Sequence, residues 1–244
     1  MDSLPQDSAL PPKTWADRVQ AVFEVLLLSG VVSSLLASLF FYTLKGKGPL
    51  DTLGDVRVLS AFILLESAFT FVLLATVLKF HRETIFGLGL QWNRWKRHLL
   101  IGIILVPLLL TINAGVALVF RLYLPQYFID KNPITSLIHT PQQLALLIFS
   151  ALIAGGIKEE LQRAFILTRF RTYLGGAGVG LLLWSIGFGM GHYVQGVQGI
   201  VIAALYGFIF GVTYLLSKSL IGPIIAHGAY DTVVLLAYWF SRPQ

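Results

Sequence analysis

Apolar runs long enough to cross a lipid bilayer recur along almost the whole chain, and no other feature constrains its fold as strongly. A bilayer core about 30 Å thick takes roughly 20 apolar residues of helix per crossing. Seven candidate crossings follow: residues 21–44, 58–78, 99–124, a fourth from about 142, then 177–192, 197–216 and 219–240. Composition points the same way. Of 244 residues, 56% are apolar and only 12% charged, whereas a soluble domain carries roughly 25% charge. That balance excludes a disordered chain, a nucleic-acid-binding tail and an ordinary cytosolic enzyme. The chain has no cysteine, which excludes disulfides, iron–sulfur clusters, a thiol nucleophile and thiolate-bound zinc. The expectation is an all-α, polytopic membrane bundle of about seven transmembrane helices, forming one membrane domain.

The first run is longer than the roughly 7–15 apolar residues of a secretory signal, and no small-residue cleavage site stands out. It reads as an uncleaved helix. With seven crossings, the side that holds the N-terminus also carries most of the Lys and Arg. The positive-inside rule then puts the N-terminus in the cytoplasm. The organisation read from this pattern is a cytoplasmic segment (1–20), N-terminal transmembrane helices (21–141), a core (142–240) and a short tail (241–244). Residues 79–98 mix basic and aromatic side chains. They suit either an interfacial segment on anionic headgroups or a plain solvated loop.

Ionisable groups inside membrane spans are costly and mark candidate functional sites. Five stand out in the second half: Glu159, Glu160, His192, His227 and Asp231. The first half offers only Glu66 and the polar Asn113. No helix breaker separates Lys158 from Tyr173, and the break comes at Gly175-Gly176. The fourth helix should therefore run on from about residue 142 to Tyr173. At 1.5 Å per residue, Glu159 then sits roughly 20 Å from the end of its helix, His192 roughly 22 Å into the fifth, and His227 and Asp231 about 12 and 18 Å into the seventh. These depths match. His227 and Asp231, and likewise Phe188 and His192, share a face at i,i+4.

Two histidines and three carboxylates in a dry cavity suit water activation. Glu159 is the candidate general base, with His192 orienting the water. His227 and Asp231 would stabilise the developing charge or bind a divalent metal. Zinc with His, His and carboxylate ligands is an established catalytic set, although the spacing here is not HExxH. The same residues also admit a proton-coupled transporter relay, and a Glu-Glu pair just before Arg163 could serve as an ion-pair lock.

The ordered motifs Lys158-Glu159-Glu160-Leu161-Gln162-Arg163, Phe188-Gly-Met-Gly-His192 and His227-Gly-Ala-Tyr-Asp231 resemble those of the CPBP (ABI) family of intramembrane proteases, which includes CAAX prenyl endopeptidases and bacteriocin-processing or self-immunity proteins. The family patterns are EExxxR, FxxxH and HxxxN/D. The second and third match in full. In the first, the family arginine would fall on Ala164, and Arg163 stands one position earlier. This places Arg163 at i,i+4 from Glu159 rather than from Glu160. The resemblance implies that Glu159 and His192 activate water, that His227 and Asp231 stabilise the oxyanion or complete a metal site, and that Glu160 supports them, with Arg163 and Phe188 in supporting places. It implies Glu159, His192, His227 and Asp231 as the ligand set if a divalent metal such as zinc is present. The implied activity is endoproteolysis of a membrane-anchored or amphipathic peptide. Non-catalytic immunity or peptide binding is the alternative, and a small transporter a more distant one. The basic loops and absence of eukaryotic targeting signals suit a bacterial cytoplasmic membrane.

Overall fold

The computed structural model describes residues 14–45, 54–90, 92 and 94–242. Residues 1–13 of the expected N-terminal segment, Gln91 and Asn93 of the basic and aromatic stretch, and residues 243–244 of the tail lie outside the described residues. Among the described residues all regular structure is helical. The order is α1 (Trp15–Leu27), α2 (Val31–Lys45), α3 (Val56–Phe80), α4 (Trp95–Tyr123), α5 (Pro141–Ala151), a π-helical segment (Leu152–Glu159), α6 (Glu160–Tyr173), α7 (Ala177–Gly191), α8 (Gly196–Ser217) and α9 (Ile221–Ser241). The protein is an all-α polytopic bundle and an integral membrane protein.

Local chemistry sets the helix ends. Thr140 caps α5 by accepting from the Gln143 backbone, Gln143 reciprocates, and Pro141 occupies the first turn, where its missing N–H has no intrahelical use. The break after α6 falls where expected. Gly175 and Gly176 have φ of 91° and 101°, a region open to glycine and costly for other residues.

Among the described residues, four helices are long and apolar enough to span a bilayer alone: α3, α4, the helix holding α8, and α9. The first expected crossing is a broken pair, α1 and α2, bent by 42° at a link where Gly30 has φ 94°. By length and composition, the described residues thus hold up to five candidate spans, against the about seven expected. The two shortfalls have different causes. With 15 residues, α7 is short of the roughly 20 that a crossing needs. The helix from Pro141 to Tyr173 is continuous as expected, but α6 carries Glu160, Arg163 and Arg169, all buried in protein. Exposed apolar side chains are Leu100, Ile103, Ile104 and Leu108 on α4, and Leu182, Leu183 and Ile186 on α7. Such apolar surface has no place in water.

Inside the bundle, α7 packs along α8, α4 along α9, and the π segment against α9. Small residues permit that last approach: a Cβ on Gly156 would sit 3.5 Å from the Gly228 Cα. A core of Phe165, Leu181, Trp184 and Phe188 joins α6 to α7.

Candidate active site

The π segment ends at Glu159, and π turns widen a helix and often occur at functional sites. Glu159, His192, His227 and Asp231 all line one cavity of about 410 Å³. Three different stretches of chain supply them: the end of the π segment, the residue after α7, and α9. The cavity also draws Ile63 from α3, Asn113 from α4, and residues 129–135 before α5. Gln198 holds that last stretch by accepting from the Ile129 N–H at 3.0 Å.

Glu160, Arg163 and Phe188 stand behind the cavity wall rather than on it. Glu160 and Arg163 are fully buried and form an ion pair. Arg163 does not reach for Glu159, the partner that i,i+4 spacing suggested. Glu160 and Arg163 both belong to α6, where i,i+3 spacing puts them on one helix face. The contact is an ion pair without an aligned hydrogen bond. The guanidinium is also sandwiched 5.2 Å from the Phe188 ring and 5.3 Å from Phe210, a favourable setting for a desolvated cation. Glu160 uses its other oxygen to accept from His227 Nδ1 at 2.9 Å. His227 also stacks on Phe210 at 4.8 Å. Arg163, Glu160 and Phe210 together fix the ring so that Nε2 faces 3.8 Å from Glu159 Oε2 and 3.8 Å from Asp231 Oδ2.

His192 is oriented independently. Its Nδ1 lies 2.8 Å from the Phe188 carbonyl oxygen. A carbonyl only accepts, so Nδ1 carries the proton, and Nε2 of the neutral ring is an acceptor. Phe188 packs 4.7 Å from this ring and 6.3 Å from that of His227, so one aromatic side chain spaces both histidines.

Two contributors were not singled out in the sequence. Gly155 makes room for the site: a Cβ there would lie 2.7 Å from Asp231 Oδ2 and 3.1 Å from His227 Nε2. The Gly155-Gly156 pair was its only local sign. Lys158 approaches Glu159 Oε1 to 3.7 Å and pairs with Glu66, which gives Glu66 the partner in another helix that its burial requires. Among the described residues no three His, Asp or Glu side chains converge closely enough to hold a metal ion.

Residues 140–233 match the family model described as type II CAAX prenyl endopeptidase Rce1-like. No curated protein and no solved structure matches the chain. The matched segment contains the Glu159-Glu160 pair and the complete FxxxH and HxxxD motifs, so the chain carries an Rce1-like region, consistent with the CPBP family.

Proposed function

We propose that this protein is an intramembrane endopeptidase that cleaves a membrane-anchored or amphipathic peptide with glutamate-activated water. The observation that carries the reading is the meeting of Glu159, His192, His227 and Asp231 at one cavity, within the segment that matches the protease family.

Glu159 is the general base. Its nearest charged neighbours stand at 3.7 and 3.8 Å, beyond hydrogen-bond reach, so its oxygens are open to water. Neutral His192 offers Nε2 as a second acceptor and fixes the water's orientation. Glu159 takes one proton, and the resulting hydroxide attacks the scissile carbonyl carbon. When protonated, His227 donates Nε2–H to the oxyanion, while Glu160 and Asp231 balance the ring's charge. The C–N bond then breaks as Glu159 returns its proton to the leaving amine, giving a carboxylic acid and an amine, and the acid then yields its proton to the amine.

The test is cleavage of a membrane-peptide library by purified protein beside Glu159→Gln. Cleavage that vanishes in the variant supports the reading. A wild type that binds peptides without cutting them would replace it with the peptide-binding alternative.

A further inference from the structure

Glu66 belongs to α3, outside the family-matching segment, and does not line the cavity. It is nonetheless buried and wired towards the site. Its Oε1 accepts from Ser33 Oγ at 2.7 Å and from Thr70 Oγ1 at 3.1 Å. Its Oε2 accepts from Lys158 Nζ at 2.7 Å. The same ammonium faces Glu159 Oε1 from 3.7 Å. One buried cation therefore sits between two carboxylates and is bonded to only one of them.

The asymmetry has a chemical consequence. A full ion pair with a lysine closes to about 2.7–2.9 Å and occupies the carboxylate's lone pairs. A carboxylate so engaged is a poor acceptor for a water proton. The two hydroxyls fix Glu66, so it competes for the ammonium from a rigid position. We propose that Glu66 is a positioning residue for the reaction: it draws Lys158 away from Glu159 and keeps that carboxylate free to act as base. This rests on the protease reading above. It also gives α3 a part in chemistry otherwise built from the second half of the chain.

The experiment uses the full chain in detergent or liposomes with a membrane peptide that wild type cleaves. In Glu66→Gln the lysine closes by about 1 Å onto Glu159. The expected result is a fall in kcat of at least about tenfold with KM unchanged, part of the general-base contribution. Adding Lys158→Met to Glu66→Gln removes the closing group, so the double variant recovers most of the lost kcat. A merely structural pair predicts no such recovery. Wild-type kcat in Glu66→Gln, or a double variant no faster than the single, overturns the proposal. A second measurement does not need cleavage: carbodiimide labelling of Glu159, read by peptide mass. Labelling should slow in Glu66→Gln and recover in the double variant, and equal rates in all three proteins overturn the inference. If labelling responds while no peptide is cut even by wild type, the protease reading fails and the Glu66 arrangement stands.

Discussion

Among the described residues, two ionic clusters each set glutamates against a basic side chain and a histidine, and they are closed to very different degrees. One joins α1, α6 and the turn after α3. There Arg169 donates Nε to Glu24 at 2.6 Å and both terminal nitrogens to Glu83 at 2.9 and 3.0 Å. His81 and Gln20 complete Glu24 at 2.5 and 3.0 Å, and the guanidinium lies 4.4 Å from the Phe165 ring. The other cluster holds Glu159, with gaps of 3.7 and 3.8 Å to Lys158 and His227, and it opens on a cavity. The first satisfies its charges within the protein and can only hold helices together. The second leaves lone pairs facing space that water or a peptide can occupy. In a low-dielectric interior, an incompletely paired carboxylate is expensive, and retaining one suits a group that must accept a proton.

The contrast is broken most sharply at its open end. Glu159→Gln removes the base and keeps the shape, so kcat should fall about 10³-fold, while thermal retention of monodisperse protein stays at the wild-type value. The closed cluster should answer in the opposite way. Arg169→Met leaves Glu24 buried without its cation and should cost about 3 kcal/mol, the low end for a broken buried pair because Glu83 keeps a 37% exposed side chain. That loss would be read as earlier aggregation on heating, with kcat of the surviving protein unchanged. A drop in kcat that matches the loss of stability would show that the two clusters do not divide structure from chemistry.

How much of this was legible in the sequence follows from how local each feature is. Helices and their ends were legible because apolar run length and the Gly175-Gly176 break act within a few residues. The bend after Leu27 was not, since the run 21–44 is apolar on both sides of it. The meeting of Glu159, His192, His227 and Asp231 was foreshadowed by their matched depths, because rise per residue is fixed. Partners across helices were hidden: Glu66 meets Lys158 across 92 positions, and Arg169 meets Glu24 across 145. No periodicity encodes such pairings. Arg163 shows a subtler limit, since Glu159 at i,i+4 and Glu160 at i,i+3 both lie within reach on a regular helix, and only the packed structure selects Glu160.

A smaller effect tests whether the open cluster depends on space. Gly155→Ala would put a methyl group 2.7 Å from Asp231 Oδ2, forcing the site apart. A displacement near 1 Å costs about 10²-fold in rate, so kcat should fall by that order. Its neighbour is the control. Gly156→Ala would meet the Gly228 Cα at 3.5 Å, an ordinary contact, and should leave cleavage close to wild type. Equal losses in the two variants would mean that the helix, and not the room beside Asp231, is what matters.

The smallest effect concerns what fills the gaps. His227 Nε2 faces two carboxylate oxygens at 3.8 Å, beyond direct hydrogen-bond distance. Zinc needs donors about 2.0–2.2 Å from a common centre, and no three side chains among the described residues provide one. Chelation during the cleavage assay should therefore leave kcat unchanged, and added zinc should not raise it. If chelation abolishes cleavage and zinc restores it, the open cluster is open because a cation closes it. Glu159 would then need a different role, since a carboxylate bound to the metal cannot also be the free base.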